Sequence, residues 1–253
     1  MISSPQIQTE SKVPEVTVLF WVIKIAATTL GETAGDAASM SLNLGYLIST
    51  LIFSAVFLIV VSAQVKSGRF HPALYWATII ATTTVGTTLA DFADRSLGIG
   101  YAGGVAALLA LLLASLLSWY RSLGSVAINT VHSPKAEVFY WVTIMLSQTL
   151  GTALGDWTAD TAGLGYSGGA LVFTALLALV AAGYRWTSSS RTALFWAAFV
   201  LTRPLGAVVG DLLDKPHSAG GLALSRFGAS ATILLFIAAC LLIFKQRAAA
   251  KAH

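Results

Sequence analysis

Long apolar runs alternate with short polar segments along the whole chain. The clearest runs are Leu47–Val61, Val105–Leu117 and Ala170–Ala182. With their flanks they reach the roughly 20 residues that a helix needs to cross about 30 Å of hydrocarbon. The pattern therefore predicts an all-α, polytopic membrane protein with eight transmembrane helices, at about 16–36, 46–66, 72–94, 101–120, 137–157, 166–185, 192–212 and 223–244.

The composition agrees with residence in lipid. Hydrophobic residues make up 56% of the 253 residues and charged residues 10%, whereas a soluble domain carries about 25% charge. The mean hydropathy is +0.78. The first apolar run has full transmembrane length and carries the first copy of a repeated motif, so we do not expect it to be a cleaved signal peptide. We predict one transmembrane domain over 1–253, with tails at 1–13 and 246–253.

The positions of the basic residues predict the orientation. The net charge is +4, but the basic residues gather at the termini and after the even-numbered helices, which favours membrane orientation over nucleic-acid binding. By the positive-inside rule these segments are cytoplasmic. We therefore expect a bacterial inner-membrane protein with both termini in the cytoplasm. The residues concerned are Lys12, Lys66, Arg69, Arg121, Lys135, Arg185, Arg191, Lys245, Arg247 and Lys251.

A two-helix unit occurs four times, over about 16–66, 72–120, 137–185 and 192–244. Each odd-numbered helix starts with an aromatic residue and a tryptophan, has a glycine ten residues later, a second small residue four residues further, and then an aspartate. The tryptophans are Trp21, Trp76, Trp141 and Trp196, the glycines Gly31, Gly86, Gly151 and Gly206, and the aspartates Asp36, Asp91, Asp156 and Asp211. Because each unit crosses the membrane twice, the copies are parallel repeats.

Each part of the motif has a physical interpretation. The aromatic pair is typical of the cytoplasmic interfacial belt. Fifteen helical residues then place the aspartate about 22 Å further along the helix, short of the outer headgroups. The two small residues, four positions apart, let helix backbones approach closely. We therefore expect the four odd-numbered helices to pack centrally and their aspartates to converge.

The acidic residues concentrate in these motifs. Converging carboxylates repel one another, and the negative end of the helix dipole adds a penalty, which a bound cation would relieve. Oxygen ligands without histidine or thiolate favour Mn²⁺, Ca²⁺ or Mg²⁺. Alternatively, each aspartate caps the following turn. The predicted metal ligands are Asp36, Asp91, Asp156 and Asp211, and the other acidic candidates are Glu32, Asp94, Asp160 and Asp214.

Polar residues also occur earlier in the odd-numbered helices. Thr28, Thr83 and Gln148 either line a route or stabilise helix contacts. Arg203 occupies the equivalent position in the fourth copy, near the bilayer centre, and needs a partner. Glu32 is predicted to be that partner, about 6 Å further out on a neighbouring helix. Lys24 is expected to extend to the interface.

The repeated Trp…Gly-x-x-x-Gly-Asp motif resembles, along almost the whole chain, a family of uncharacterised bacterial membrane-anchored proteins. The resemblance implies the fold and no activity. The segment Gly31–Asp36 is also similar to the Glu-x-Gly-Asp motif of Ca²⁺/Mn²⁺ exchangers, although here Glu32 precedes Asp36 by four residues. Enzyme motifs such as a Walker loop or HExxH do not occur, so no enzymatic activity is expected.

Two hypotheses follow from the sequence. The first is a transporter of a small cation, with a divalent ion (Mn²⁺, Ca²⁺ or Mg²⁺) favoured, and with an outward-facing carboxylate site. The cation is then the substrate, and no tightly bound cofactor is expected. The second is a non-transporting membrane anchor, sensor or scaffold module whose aspartates cap helices. In either case the expected partner is the lipid bilayer, with a homo-oligomer as a further possibility.

Overall fold

The computed structural model describes residues 11–250. Within this range the fold is all-helical, and its eight long helices coincide with the predicted segments to within a few residues. The predicted tails lie partly outside the described residues, at 1–10 and 251–253. The helices are α1 (Val18–Asp36), α2 (Gly45–Lys66), α3 (Pro72–Asp91), α4 (Tyr101–Leu123), α5 (Pro134–Asp156), α6 (Gly165–Trp186), α7 (Arg191–Asp214) and α8 (Arg226–Ile243).

The odd-numbered helices form a closed central bundle. α1 contacts α3, α3 contacts α5, α5 contacts α7, and α7 returns to contact α1. Each even-numbered helix lies outside the bundle, against the odd-numbered helix of the following repeat: α2 on α3, α4 on α5, α6 on α7 and α8 on α1. The chain therefore closes into a ring of four repeats, in which the last repeat packs on the first. This confirms the central packing expected from the small residues.

The membrane-spanning character differs among the helices. Six helices of the described range are long and apolar enough to cross a membrane: α1, α2, α4, α6, α7 and α8. α3 and α5 do not reach this criterion, because they carry many hydroxyl and amide side chains such as Thr82, Thr87 and Gln148, all fully buried. A helix enclosed by other helices need not be apolar, since it does not face lipid.

The first glycine of each motif is required by close helix packing. A Cβ at Gly86 would lie 2.9 Å from the backbone carbonyl carbon of Gln148 on the next odd-numbered helix. The same relation joins Gly31 to Thr83, Gly151 to Arg203 and Gly206 to Thr28. Each glycine thus leaves space for one residue of the next odd-numbered helix, the one that lies seven positions after the tryptophan of that helix. The polar candidates at this position are consequently held inside the bundle.

The aromatic pairs are more buried than predicted. Trp76 is fully buried, and Trp141 and Trp196 are 3% and 5% exposed, while Trp119 of α4 joins them. The hydroxyl oxygens of Tyr75 and Tyr140 lie 2.6 Å apart at the centre of this cluster. These rings face the interior of the bundle and pack on one another instead of facing lipid, while their depth at the interface stays a prediction.

Both ends of the described chain lie at this aromatic end. The backbone around Pro14 forms an antiparallel bridge with Ala248, and the Lys12 ammonium nitrogen lies 2.6 Å from a Glu137 carboxylate oxygen. The terminal segments are therefore packed against the bundle over the described residues. The motif aspartates lie at the opposite end of the odd-numbered helices, as predicted.

Short π-helical turns follow three of the odd-numbered helices, at Ala37–Ser41, Phe92–Ser96 and Trp157–Thr161. The even-numbered helices of these copies begin at or just after Gly45, Gly100 and Gly165, whose positive φ angles (74°, 80° and 64°) favour glycine. The fourth copy departs from this pattern, since α7 continues to Asp214 and Lys215 follows it directly. Lys215 therefore follows the α-helix directly, at a point in the copy where the other three copies have a π-helical turn.

Candidate functional site

The four motif aspartates are buried and close together. Asp36, Asp91, Asp156 and Asp211 are each at most 3% exposed. They are held at the ends of α1, α3, α5 and α7, so that the ring of helices becomes a ring of carboxylates. The predicted convergence is confirmed. Two basic side chains, Lys215 and Arg95, lie between the aspartates, a feature that the repeated motif does not predict.

Lys215 joins the first aspartate to the fourth. Its ammonium nitrogen contacts a carboxylate oxygen of Asp36 and lies 3.0 Å from Oδ1 of Asp211, four residues earlier. Burial acts to lower the pKa of Lys215, but the carboxylates of Asp211 and Asp36 outweigh it and raise the pKa above its ordinary value. Lys215 is therefore charged and serves as the counter-ion of both aspartates.

Arg95 joins the second aspartate to the third. Its Nε lies 2.8 Å from Oδ1 of Asp91, and one of its terminal nitrogens lies 3.5 Å from Oδ2 of Asp156. The arginine side chain is one-third exposed, while both carboxylates are buried. This side of the ring therefore opens to the exterior through Arg95.

The predicted pair of Arg203 and Glu32 is present. A terminal guanidinium nitrogen of Arg203 lies 2.9 Å from Oε2 of Glu32, and the same nitrogen donates to the hydroxyls of Thr87 and Thr152. Arg203 is fully buried and Glu32 is 2% exposed. This contact brings together all four odd-numbered helices, because Glu32, Thr87 and Thr152 lie on α1, α3 and α5 and Arg203 lies on α7.

Three carboxylates approach one another on the α1 and α7 side. One ligand oxygen each of Glu32, Asp36 and Asp211 lies within 4.8 Å of the others, and all three residues are buried. This is a spacing at which a metal ion can bind. The predicted set of four aspartates is thus divided between two basic residues, and the closest carboxylate group includes Glu32 in place of Asp91 and Asp156.

The remaining acidic candidates contribute unequally. Asp214 lies beside the group, with its Oδ2 3.2 Å from Nε of Arg226, which is also 3.9 Å from Oδ2 of Asp36. Asp94 is partly buried, and Asp160 is exposed. We therefore place Asp214 at the site and leave Asp160 outside it.

The capping interpretation is wrong in its geometry. Asp36, Asp91 and Asp156 precede the π-helical turns, yet none of their side chains accepts a capping hydrogen bond from the backbone. Their oxygens are directed to basic side chains, because a buried carboxylate is stabilised more by an ammonium or guanidinium group than by a single amide.

The polar positions deeper in the bundle also differ from expectation. Thr28 donates to carbonyl oxygens of its own helix and lies 3.2 Å from the Thr202 carbonyl oxygen of α7, which fits helix packing. The side chains of Thr83 and Gln148 have no hydrogen-bond partner within residues 11–250. Lys24 does not extend to the interface: it is fully buried, with its ammonium nitrogen 4.2 Å from the centre of the Phe199 ring.

The sequence held a signal for the missed counter-ions. Arg95 follows Asp91 by four residues, and Lys215 follows Asp211 by four. This spacing places opposite charges on one helix face. Both basic residues lie just beyond the predicted ends of their helices, at 94 and 212, so the predicted helices do not include them.

Comparison with known proteins identifies the repeat. A family model described as Repeat of Unknown Function (DUF347) matches residues 19–70, 74–125, 139–190 and 194–248. A search of curated proteins gave no match, and no solved structure matches. The similarity to Glu-x-Gly-Asp exchangers has no support from these comparisons. The matched segments cover most of the chain and coincide with the four two-helix units, so the protein belongs to the DUF347 repeat family.

Proposed function

We propose that this protein is a multi-pass membrane transporter of a small divalent cation, which binds at Glu32, Asp36 and Asp211. In this proposal all eight helices cross the membrane, α3 and α5 being shielded by the others. The membrane is the bacterial inner membrane and the terminal segments are cytoplasmic, because the basic residues favour that side. The observation that carries the proposal is the approach of three buried carboxylates to within 4.8 Å.

Lys215 acts in this proposal as a tethered competitor of the cation. Its ammonium group contacts two of the three carboxylates, the positions that a metal ion needs. Because its pKa is raised, losing a proton does not free the site. The side chain instead has to move away when the cation enters, and it returns when the cation leaves.

The local charge favours a divalent ion. Four carboxylates lie here, from Glu32, Asp36, Asp211 and Asp214, together with the three basic groups of Arg203, Lys215 and Arg226. Without Lys215 the remaining groups carry two net negative charges. A divalent cation neutralises them, whereas a monovalent ion leaves one buried charge uncompensated, which is costly.

Unpaired carboxylate oxygens provide further ligands. Oδ1 of Asp36 and Oδ1 of Asp214 are buried and accept no hydrogen bond from the described residues. Such oxygens are expensive to leave unsatisfied. They are also the hard donors that Mn²⁺, Ca²⁺ and Mg²⁺ prefer.

The experiment measures ion binding and flux in the purified protein. Melting in detergent is followed with MnCl₂, CaCl₂ or MgCl₂, where ion at 100 times its dissociation constant adds about 2.7 kcal/mol. We expect Lys215→Gln to bind the ion more tightly than wild type and Asp36→Asn to bind it more weakly. Lys66→Gln, which removes an exposed lysine, is the matched control. Unchanged melting in all three salts, with no ion flux into liposomes, would refute the proposal.

The second candidate is a non-transporting membrane module. Its support is that the protein's own Lys215, Arg95 and Arg226 already neutralise the aspartates, so that the ion pairs can be purely structural. This candidate predicts that Lys215→Gln destabilises the protein without any gain in cation affinity. The same measurement therefore separates the two functions.

A further inference from the structure

A second polar cluster lies deeper on the axis of the central bundle, between Arg203 and the aromatic end. Lys24 on α1 is fully buried, and its ammonium nitrogen has no hydrogen-bond partner within residues 11–250. The ammonium nitrogen lies over the Phe199 ring, 4.2 Å from the ring centre. Phe199 lies one helical turn before Arg203 on α7, so the two basic side chains occupy consecutive levels of the axis.

The donors around this level are also unpaired. Arg203 uses one terminal nitrogen for Glu32, Thr87 and Thr152, while its Nε and its other terminal nitrogen are buried without a partner. The amide nitrogen and the amide oxygen of Gln148 are likewise buried without a partner. Two hydroxyl groups, those of Thr83 and Ser147, are buried and unpaired as well. Five side chains from four helices therefore offer hydrogen-bond donors that nothing in the described chain accepts.

The repeat shows that the two basic residues are additions to a neutral pattern. Residues equivalent to Lys24 in the other copies are Ile79, Ile144 and Phe199, and those equivalent to Arg203 are Thr28, Thr83 and Gln148. Packing at these levels does not need a charge. Lysine and arginine occur here only in the first and fourth copies, whose helices α1 and α7 are in contact.

The charge at this depth is unbalanced. Glu32 is paired with Arg203, and Glu137 is paired with Lys12 at the aromatic end. No carboxylate among the described residues contacts Lys24. An unpaired ammonium buried in a bundle costs several kcal/mol, and an anion within reach of both basic groups removes that cost.

We propose that a small monovalent inorganic anion, of the size and charge of chloride, binds on the axis between the Lys24 ammonium and the Arg203 guanidinium. Gln148, Thr83 and Ser147 complete its coordination as neutral donors. The anion has to be small, because the glycines of the motif bring the helix backbones into contact just above this level. Lys24 is separated from Glu32 of the cation site by eight residues of α1, about 12 Å, and Arg203, which contacts Glu32, lies between the two sites.

The test compares chloride with an anion too large for the bundle. The purified full-length protein is melted in detergent in sodium chloride and in sodium gluconate of equal ionic strength. We expect a saturable rise of the melting temperature in chloride, and a chloride dissociation constant at least tenfold higher in Lys24→Ile. Lys66→Ile, which removes an exposed lysine, should respond to chloride as wild type does. Equal melting of wild type in the two salts would overturn the proposal, as would an unchanged chloride response in Lys24→Ile.

A direct measurement on the wild-type protein does not depend on whether the Lys24→Ile variant folds. Wild-type crystals grown in sodium bromide should show an anomalous peak between Lys24 and Arg203, whatever the behaviour of Lys24→Ile. Bromide peaks confined to the surface, with none in the bundle, would also overturn the proposal. Addition of Mn²⁺, Ca²⁺ or Mg²⁺ is not needed for either result, so failure of this site and failure of the cation site are distinguishable.

Discussion

Arg203 and Glu32 provide a quantitative test of the polar axis, because the repeat itself supplies neutral replacements. Position 203 is occupied by glutamine in the third copy, as Gln148, and position 32 by threonine in the second and third copies, as Thr87 and Thr152. Arg203→Gln and Glu32→Thr therefore introduce side chains that this fold already accommodates. Each single variant leaves one buried charge without its partner.

The expected magnitudes follow from the burial of the pair. The side chains of Arg203 and Glu32 are 0% and 3% exposed, and breaking a buried pair from one side costs about 3–5 kcal/mol. The double variant removes both charges and leaves groups that can bond to each other. We expect the loss of unfolding free energy in the double variant to be about 2–3 kcal/mol smaller than the sum of the losses in the two single variants, a coupling of the size seen between contacting residues.

The assay is reversible unfolding in mixed detergent micelles, followed by helical circular dichroism. Wild type, both single variants and the double variant complete a thermodynamic cycle. If the double variant is destabilised by the sum of the single effects, the pair is not coupled and the contact between α1 and α7 does not depend on it. Losses below about 1 kcal/mol in both single variants would equally refute the reasoning.

Three further predictions concern other parts of the bundle. Gly86→Ala should destabilise the protein by about 1–2 kcal/mol in the same unfolding assay, since the cost of overpacking exceeds the gain in helix propensity. Gly103→Ala is the control, because no atom lies within 4 Å of its new Cβ, and it should be neutral or stabilising. Arg95→Gln should lower stability by about 1–3 kcal/mol, because two buried carboxylates lose their counter-ion; unchanged melting would contradict this. Lys12→Met should expose the N-terminal segment, measured as faster proteolysis at unchanged helical content.

Much of the fold was predictable because its determinants are periodic. The eight apolar runs, the four copies and the central position of α1, α3, α5 and α7 all follow from residues that recur at fixed spacing. The pairing of each even-numbered helix with the next repeat was not predictable. It depends on how the ring closes, and apolar outer helices carry no residue that specifies one neighbour over another.

The site was predictable only in part, for a related reason. Convergence of the aspartates and the Arg203–Glu32 pair could be worked out from helix geometry. The pattern did not predict the counter-ions because Arg95 and Lys215 lie just beyond the predicted ends of their helices. It did not predict the burial of Lys24 because a lysine three residues from a tryptophan normally reaches the interface. In this fold the tryptophans are themselves buried, so the position near them is inside the bundle.

The buried charged residues deep in the bundle are distributed unequally between the four copies, which makes the bundle asymmetric. Lys24, Glu32 and Arg203 have no charged equivalents in the two middle copies, where isoleucine, threonine and glutamine occur at these positions. All three lie on α1 and α7, which meet where the last repeat closes on the first. The middle copies retain the packing residues and thus complete the ring. A four-fold scaffold whose deeper charges lie at one junction supplies both a rigid frame and an asymmetric polar path, which identical copies could not provide.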